Sequence, residues 1–169
     1  MTTFEVNNSK DFFNYFLKEQ VKEFFDNENY KSSRHAVICS MFAYHLREWL
    51  WKDMKKSIIK FMINNGIIIK SKKHNYDYTE CKFNEYVNSQ CPEFRYIREI
   101  CNGTKHLKVC DKIKTTKKRN GGFNGGFNGN SFNTDDLIII DNNNNILVFK
   151  NILLKVVEFW KDLFEKLKI

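Results

Sequence analysis

The chain has 169 residues, 42% of them apolar and sixteen of them Phe, which excludes global disorder and allows a real core. Its formal net charge is +8 and its pI is near 9.2, a balance that favours anionic partners such as nucleic acid or an anionic membrane surface. No window reaches the ~18 apolar residues of a membrane span, and the start "MTTFEVNNSKD" lacks a basic segment followed by an apolar run, so a cytoplasmic protein with no membrane partner is expected.

The first predicted helix covers residues 9–26. Phe12, Phe13, Phe16, Leu17, Val21, Phe24 and Phe25 recur at steps of three and four, and Ser9 stands where an N-cap belongs. A second helix starts near Ser32 or Ser33 and runs through "HAVICSMFAYHLREWLWKDM". Its apolar side is Ile38, Phe42, Leu46, Trp49 and Leu50. Residues 55–64 extend it or form a short helix of their own, and Gly66 is the residue expected to end that stretch in the left-handed conformation. A third helix is predicted from about Thr79 to Ser89, with Phe83 and Val87 four apart. A fourth opens at "CPEF", because Pro92 suits a first helical turn and Glu93 faces the positive end of the dipole. It carries Phe94, Ile97 and Cys101 inward, and Gly103 marks its end or a point of close packing.

The alternation in "LKVCDKIKTT" reads as a strand with an exposed basic side. "NGGFNGGFNGNSFN" repeats Gly-Gly-Phe-Asn and reads as a flexible loop, over residues 119–134. "DDLIIIDNNNNILVFK" predicts a hairpin of Leu137 to Ile140 against Ile146 to Phe149. Residues 151–168 form the closing helix, with Ile152, Leu153, Val156, Val157, Trp160, Leu163, Phe164 and Leu167 on one face. The expected fold is mainly α: a single domain over residues 1–169, a bundle of about four to five helices with a small antiparallel hairpin before the last.

Five cysteines, none in a C-x-x-C pair, point to reduced thiols and no metal or other cofactor. The chemistry-bearing pattern lies in "FRYIREICNGTKHLKVCDK". Arg98, Asn102 and His106 stand at i, i+4 and i+8, a polar stripe beside the apolar face, and Arg95 extends it. A histidine can move protons and an arginine can hold a phosphate, which together suffice for metal-free RNA cleavage through the ribose 2′-hydroxyl. The competing reading is an ordinary polar face, with His106 complementing the C-terminal dipole. His45, between Phe42 and Trp49 on the steps of the apolar face, is either a hydrogen-bonded core histidine or a second proton-transfer group facing His106. Arg47 and Glu48 beside it read as a solvated ion pair. From Lys105 to Arg119 there are seven basic residues (Lys105, Lys108, Lys112, Lys114, Lys117, Lys118 and Arg119) against one acid, a candidate nucleic-acid surface. Phe123 and Phe127 in the loop could stack on RNA bases.

A bundle with "YHLREWLW" on one helix and "CPEFRYIREICNGTKH" on another resembles the HEPN superfamily of prokaryotic helical domains. It is similar, too, to a group of uncharacterised bacterial proteins with a "CP…R…N…KH" segment, a β-hairpin and an aromatic-rich last helix. The resemblance implies an RNA-binding protein or metal-independent ribonuclease of a toxin–antitoxin or anti-phage system. It implies a homodimer, with an antitoxin or other protein as partner. By the same likeness Arg98, Asn102 and His106 take the arginine, polar and histidine positions. Seven residues separate Arg98 from His106 here, where the family pattern has four to six. The alternative is a non-enzymatic interaction module or accessory subunit, suggested by the exposed aromatics and the Gly/Phe/Asn loop. A third idea is a small-molecule sensor with its pocket near His45.

Overall fold

A computed structural model describes residues 6–26, 31–69, 76–106, 113–120 and 134–168; the side chains of residues 76, 77, 105, 106, 117–120, 134 and 135 fall outside that description. The Gly/Phe/Asn loop, with Phe123 and Phe127, lies outside the described residues. The fold is mainly helical, with a small antiparallel sheet ahead of the C-terminal helix.

The chain opens with α1 (Ser9–Asp11), continues as a π-helical stretch (Phe12–Lys18) and ends the rod as α2 (Glu19–Phe25). Ser9 is not the cap expected of it. Asn8 takes that place, and its side chain accepts the Asp11 N–H. Asp11 returns the favour, accepting from the Asn7 N–H and the Asn8 amide. Ser9 is buried instead, and both its N–H and its Oγ donate to Oδ2 of Asp53, at 2.9 and 2.7 Å. That carboxylate sits against the positive end of a helix, where an anion is favoured.

Asp53 belongs to α3 (Ser33–Asn64), which takes in residues 55–64 but bends at Met54, where φ −112° and ψ 21° leave the helical region. Cys39, Ala43, Leu46, Leu50, Ile58 and Met62 are fully buried along it, as a central helix requires. Its end follows from Gly66 at φ +68°. The Gly66 N–H donates to the Ile63 carbonyl (3.1 Å) and the Ile67 N–H to the Met62 carbonyl (2.9 Å), the paired bonds of a Schellman motif. In α4 (Tyr76–Gln90), Phe83 and Val87 face the core. Pro92 and Glu93 make the turn that leads into α5 (Phe94–His106), with Phe94, Arg95 and Tyr96 donating backward to Cys91, Pro92 and Glu93.

Three strands follow in the order β1-β2-β3: β1 (Ile113–Asn120), β2 (Thr134–Asp141) and β3 (Ile146–Val148). Pairing of β1 with β2 runs from Ile113↔Asp141 to Asn120↔Thr134, and β2 meets β3 from Ile138↔Val148 to Ile140↔Ile146. The expected hairpin is present in its expected register, enlarged by a basic strand on its outer side. Phe149 leaves it to start α6 (Phe149–Leu167). On α6 Phe149, Ile152, Leu153, Val156, Trp160, Leu163 and Phe164 are buried at helical spacing.

One apolar cluster joins all these elements, from Val6 to Phe164. Aromatic rings carry it across the bundle. Tyr44 of α3 stacks on Phe94 of α5 (6.1 Å between centroids), and Phe94 meets the edge of Trp160 of α6 (5.6 Å). Trp160 is wholly buried, and truncating such a residue to Ala costs about 3–5 kcal/mol.

Candidate functional site

Packing of α5 on α3 decides where the polar stripe lies. Phe94, Ile97 and Cys101 are turned into the core, so the stripe borders the buried face as its spacing implies. Arg98 is 35% exposed, and its guanidinium holds the carboxylate of the buried Glu99 at 3.0 Å. Asn102, one turn on, is half-buried. The backbone of α5 runs unbroken through Gly103 to His106, and Thr104 donates its hydroxyl to the Cys101 carbonyl. The side chains of Lys105 and His106 lie outside the described residues, so the geometry of the triplet is fixed only at Arg98 and Asn102.

His45 is not a core histidine. It is 39% exposed on α3, with Nδ1 3.7 Å from the Glu48 carboxylate and its ring edge-on to Tyr44. Arg47, in contrast, is only 15% exposed. Its guanidinium lies over the Tyr44 ring at 4.8 Å and donates to the Tyr44 hydroxyl, while Glu48 stands 3.9 Å away. The residue expected to be solvated is therefore packed, and the one expected to be packed is half in water. Periodicity places both residues near the border of the apolar face and does not decide which of them packs. Among the described residues no hydrogen bond or ion pair joins His45 to Arg98.

Of the candidate nucleic-acid residues, Lys108 and Lys112 lie outside the described residues. Lys114, Lys117, Lys118 and Arg119 stand on β1. Ile113 anchors that strand in the core, whereas Lys114, Thr115 and Thr116 are all exposed. Consecutive strand residues point to opposite faces, so β1 is open to solvent on both sides there. Lys114 and Lys117 pair with Ile140 and Leu137, and only Lys118 and Arg119 face acids in register, Asp136 and Asp135.

A group that the sequence reading did not assemble joins α5 to the end of the sheet. Asp141 closes the β2–β3 turn, accepting from the Asn143 N–H (2.9 Å), the Asn145 N–H (3.0 Å) and the Asn145 side-chain amide (3.1 Å). Asn144 takes the left-handed conformation at φ 60°, one that asparagine tolerates. Tyr96 of α5 donates its hydroxyl to Asp141 Oδ2 at 3.1 Å, and Arg95 donates in turn to the Tyr96 oxygen. The hydrogen bond from the Asn145 side chain, helped by those from the two backbone N–H groups and Tyr96, holds the Asp141 carboxyl below the usual carboxylate range against the opposing effect of burial. Its sequence signal was an Asp opening a run of four Asn after an apolar strand, a turn signature. Nothing local marked Tyr96, 45 residues away, as its partner.

An open groove of about 670 Å³ lies away from these residues, between the end of α3, α4 and the end of α6, lined by Phe61, Asn65, Ile67, Tyr86 and Lys166 among others. Among the described residues no group of three or more His, Cys, Asp or Glu side chains is arranged to hold a metal ion, and no helix is long and apolar enough to cross a membrane. Comparison with known proteins adds no relative: no family model, no curated protein and no solved structure matches the chain.

Proposed function

We propose that the protein is an RNA-binding helical module of the HEPN type, engaging the phosphate backbone of RNA through β1 and the adjoining end of α5. The observation that supports this most directly is the basic strand, in which Lys114, Thr115 and Thr116 are exposed on successive positions after the buried Ile113. A strand rich in Lys, with Ile140 and Leu137 rather than acids paired to Lys114 and Lys117, suits a polyanion. Each phosphate it neutralises releases counterions, so binding weakens as salt rises. Arg98 adds a cation one helix away. On the HEPN resemblance, such a module would serve in a prokaryotic toxin or anti-phage system, with a second copy or an antitoxin as its protein partner.

Binding stands ahead of cleavage in this reading. Arg98 is engaged by Glu99 and His45 by Glu48, each within its own helix. The test is fluorescence anisotropy with a labelled single-stranded RNA between about 50 and 200 mM salt, with a cleavage assay on the same samples. Lys114→Ala combined with Lys117→Ala is expected to lower affinity and reduce the salt slope by about two. Cleavage that His106→Ala abolishes at unchanged thermal midpoint would make the protein a nuclease instead. Wild-type protein that neither binds nor cuts RNA overturns the proposal.

A further inference from the structure

We infer that Arg95 is a fixed phosphate-contacting residue of this surface, oriented by the Tyr96 hydroxyl acting as a positioning residue; this rests on the RNA-binding reading above. Arg95 lies outside the Arg98, Asn102 and His106 triplet but adjoins both it and the basic strand. It stands three residues before Arg98, which puts their Cβ atoms about 5–6 Å apart on one helix face. It also stands beside Asp141, whose strand partner Ile113 directly precedes Lys114. Helix α5 thus brings two cations, Arg95 and Arg98, to the edge of the sheet where β1 begins, while Lys114, next after the buried Ile113, points to the other face of the strand.

Arg95 is held there without being consumed. Its guanidinium lies over the Tyr96 ring at 4.6 Å and donates one hydrogen bond to the Tyr96 oxygen. Tyr96 is buried, and its hydroxyl donates a hydrogen bond to Asp141. The Arg95 guanidinium comes within 3.7 Å of the Asp141 carboxylate, beyond hydrogen-bonding distance. That carboxylate already accepts four bonds, from the Asn143 and Asn145 backbones, the Asn145 amide and Tyr96. A carboxylate has about four acceptor positions, and a guanidinium has five N–H donors. Asp141 is therefore saturated, and most of the donors on Arg95 remain open.

The tie between α5 and the turn would exist without Arg95, because Tyr96 makes it. An arginine needed only to close that tie would be buried in it, yet the Arg95 side chain is 58% exposed. A flexible side chain loses rotamer freedom when it captures an anion. One already stacked and hydrogen-bonded loses less, and the planar fork presents donors in the geometry of two phosphate oxygens. The ligand chemistry is a phosphate group, carried either by the RNA backbone or by a free polyphosphate.

The experiment titrates wild type, Arg95→Ala, Arg95→Lys and Tyr96→Phe with a short labelled single-stranded RNA across a salt series, and separately with inorganic tripolyphosphate by calorimetry. Circular dichroism confirms that each variant is folded. Arg95→Ala is expected to weaken RNA binding on the order of tenfold and to reduce the salt slope by about one. Arg95→Lys restores the slope but not the full affinity, because a lysine cannot fork or stack in the same way. Tyr96→Phe keeps the charge and the slope and loses affinity several-fold; unchanged affinity there would remove the positioning role. Wild type that binds RNA while Arg95→Ala binds equally well with the same slope overturns the inference and leaves RNA binding standing. Binding of tripolyphosphate that depends on Arg95, with no RNA binding, leaves Arg95 as a phosphate contact and removes RNA as the partner. Failure of both ligands overturns both.

Discussion

Replacing Asp53 by Ala removes the acceptor for two donors on a single buried residue. Ser9 has no exposed surface, and its N–H and Oγ both end on Asp53 Oδ2, at 2.9 and 2.7 Å. A hydrogen bond to a charged group contributes roughly 1.5–3 kcal/mol, and a buried donor left unpaired costs about 1–3 kcal/mol. The two bonds share one acceptor, and Asp53 itself faces solvent, so the full sum is not reached. We expect Asp53→Ala to lose about 2–3 kcal/mol, Asp53→Asn about half of that, and Ser9→Ala about 1 kcal/mol. Urea denaturation at constant m-value measures each loss. The double variant then gives the coupling, because removing Ser9 Oγ takes away one of the two bonds that Asp53 makes. A change below about 0.5 kcal/mol for Asp53→Ala, as surface substitutions give, would refute the reasoning. So would strict additivity in the cycle.

Gly66→Ala is expected to cost about 1 kcal/mol in the same assay: a Cβ there meets nothing within 4 Å, so the cost comes from the positive φ alone. The Lys155 ammonium hydrogen-bonds Glu93 at 2.6 Å and holds its carboxyl below the usual range. A depressed carboxyl contributes stability above its unfolded pKa of about 4.3 and loses it as pH falls through the folded value. Lys155→Ala should therefore make the acid side of the stability profile shallower below about pH 4.3, with little change in its shape above that, read from thermal midpoints across a pH series. Burial pushes the Cys39 thiol up to about 12 and the Cys91 thiol to about 11, while Cys81 is exposed. Mass spectrometry after brief alkylation of the folded protein should find Cys81 modified far ahead of Cys39 and Cys91, because the thiolate is the reacting form.

Features encoded by neighbouring residues were legible in the sequence. The hairpin register follows from two apolar runs around an asparagine turn, and Ile140 does pair with Ile146. The end of α3 follows from a glycine two residues past the last helical position, and the paired bonds at Gly66 and Ile67 confirm it. Features that depend on distant partners were not legible. Ser9 looks like a cap because its acceptor, Asp53, is 44 residues away. Tyr96 and Asp141 are equally remote in sequence, so the local pattern shows the stripe as Arg98, Asn102 and His106 with Arg95 only as its extension. The outward position of His45 goes with the Tyr44 ring, which stacks on Phe94 of a different helix and meets His45 edge-on, a contact that the local pattern does not encode. The π-helical stretch was not legible either: Phe12, Phe13, Phe16 and Leu17 recur at steps of three and four, as they would on an ordinary α-helix.

Each backbone hydrogen bond in that stretch closes a loop one residue longer than an α-helix would allow. The first helix therefore holds one residue more than a regular α-helix could place between the same two ends. Phe12 and Phe13 at its start and Phe24 near its finish still meet the same core, because the surplus is absorbed between them. A change of chain length is thus tolerated at one point in this helix and penalised elsewhere. Loss of Tyr15, which is exposed, lets the wide turn close to an ordinary one and leaves Phe24 in phase. Loss of Lys22, outside the stretch, swings Phe24 and Phe25 by about 100° out of the core. Comparing the stability of the two deletions would show whether the helix does carry this slack.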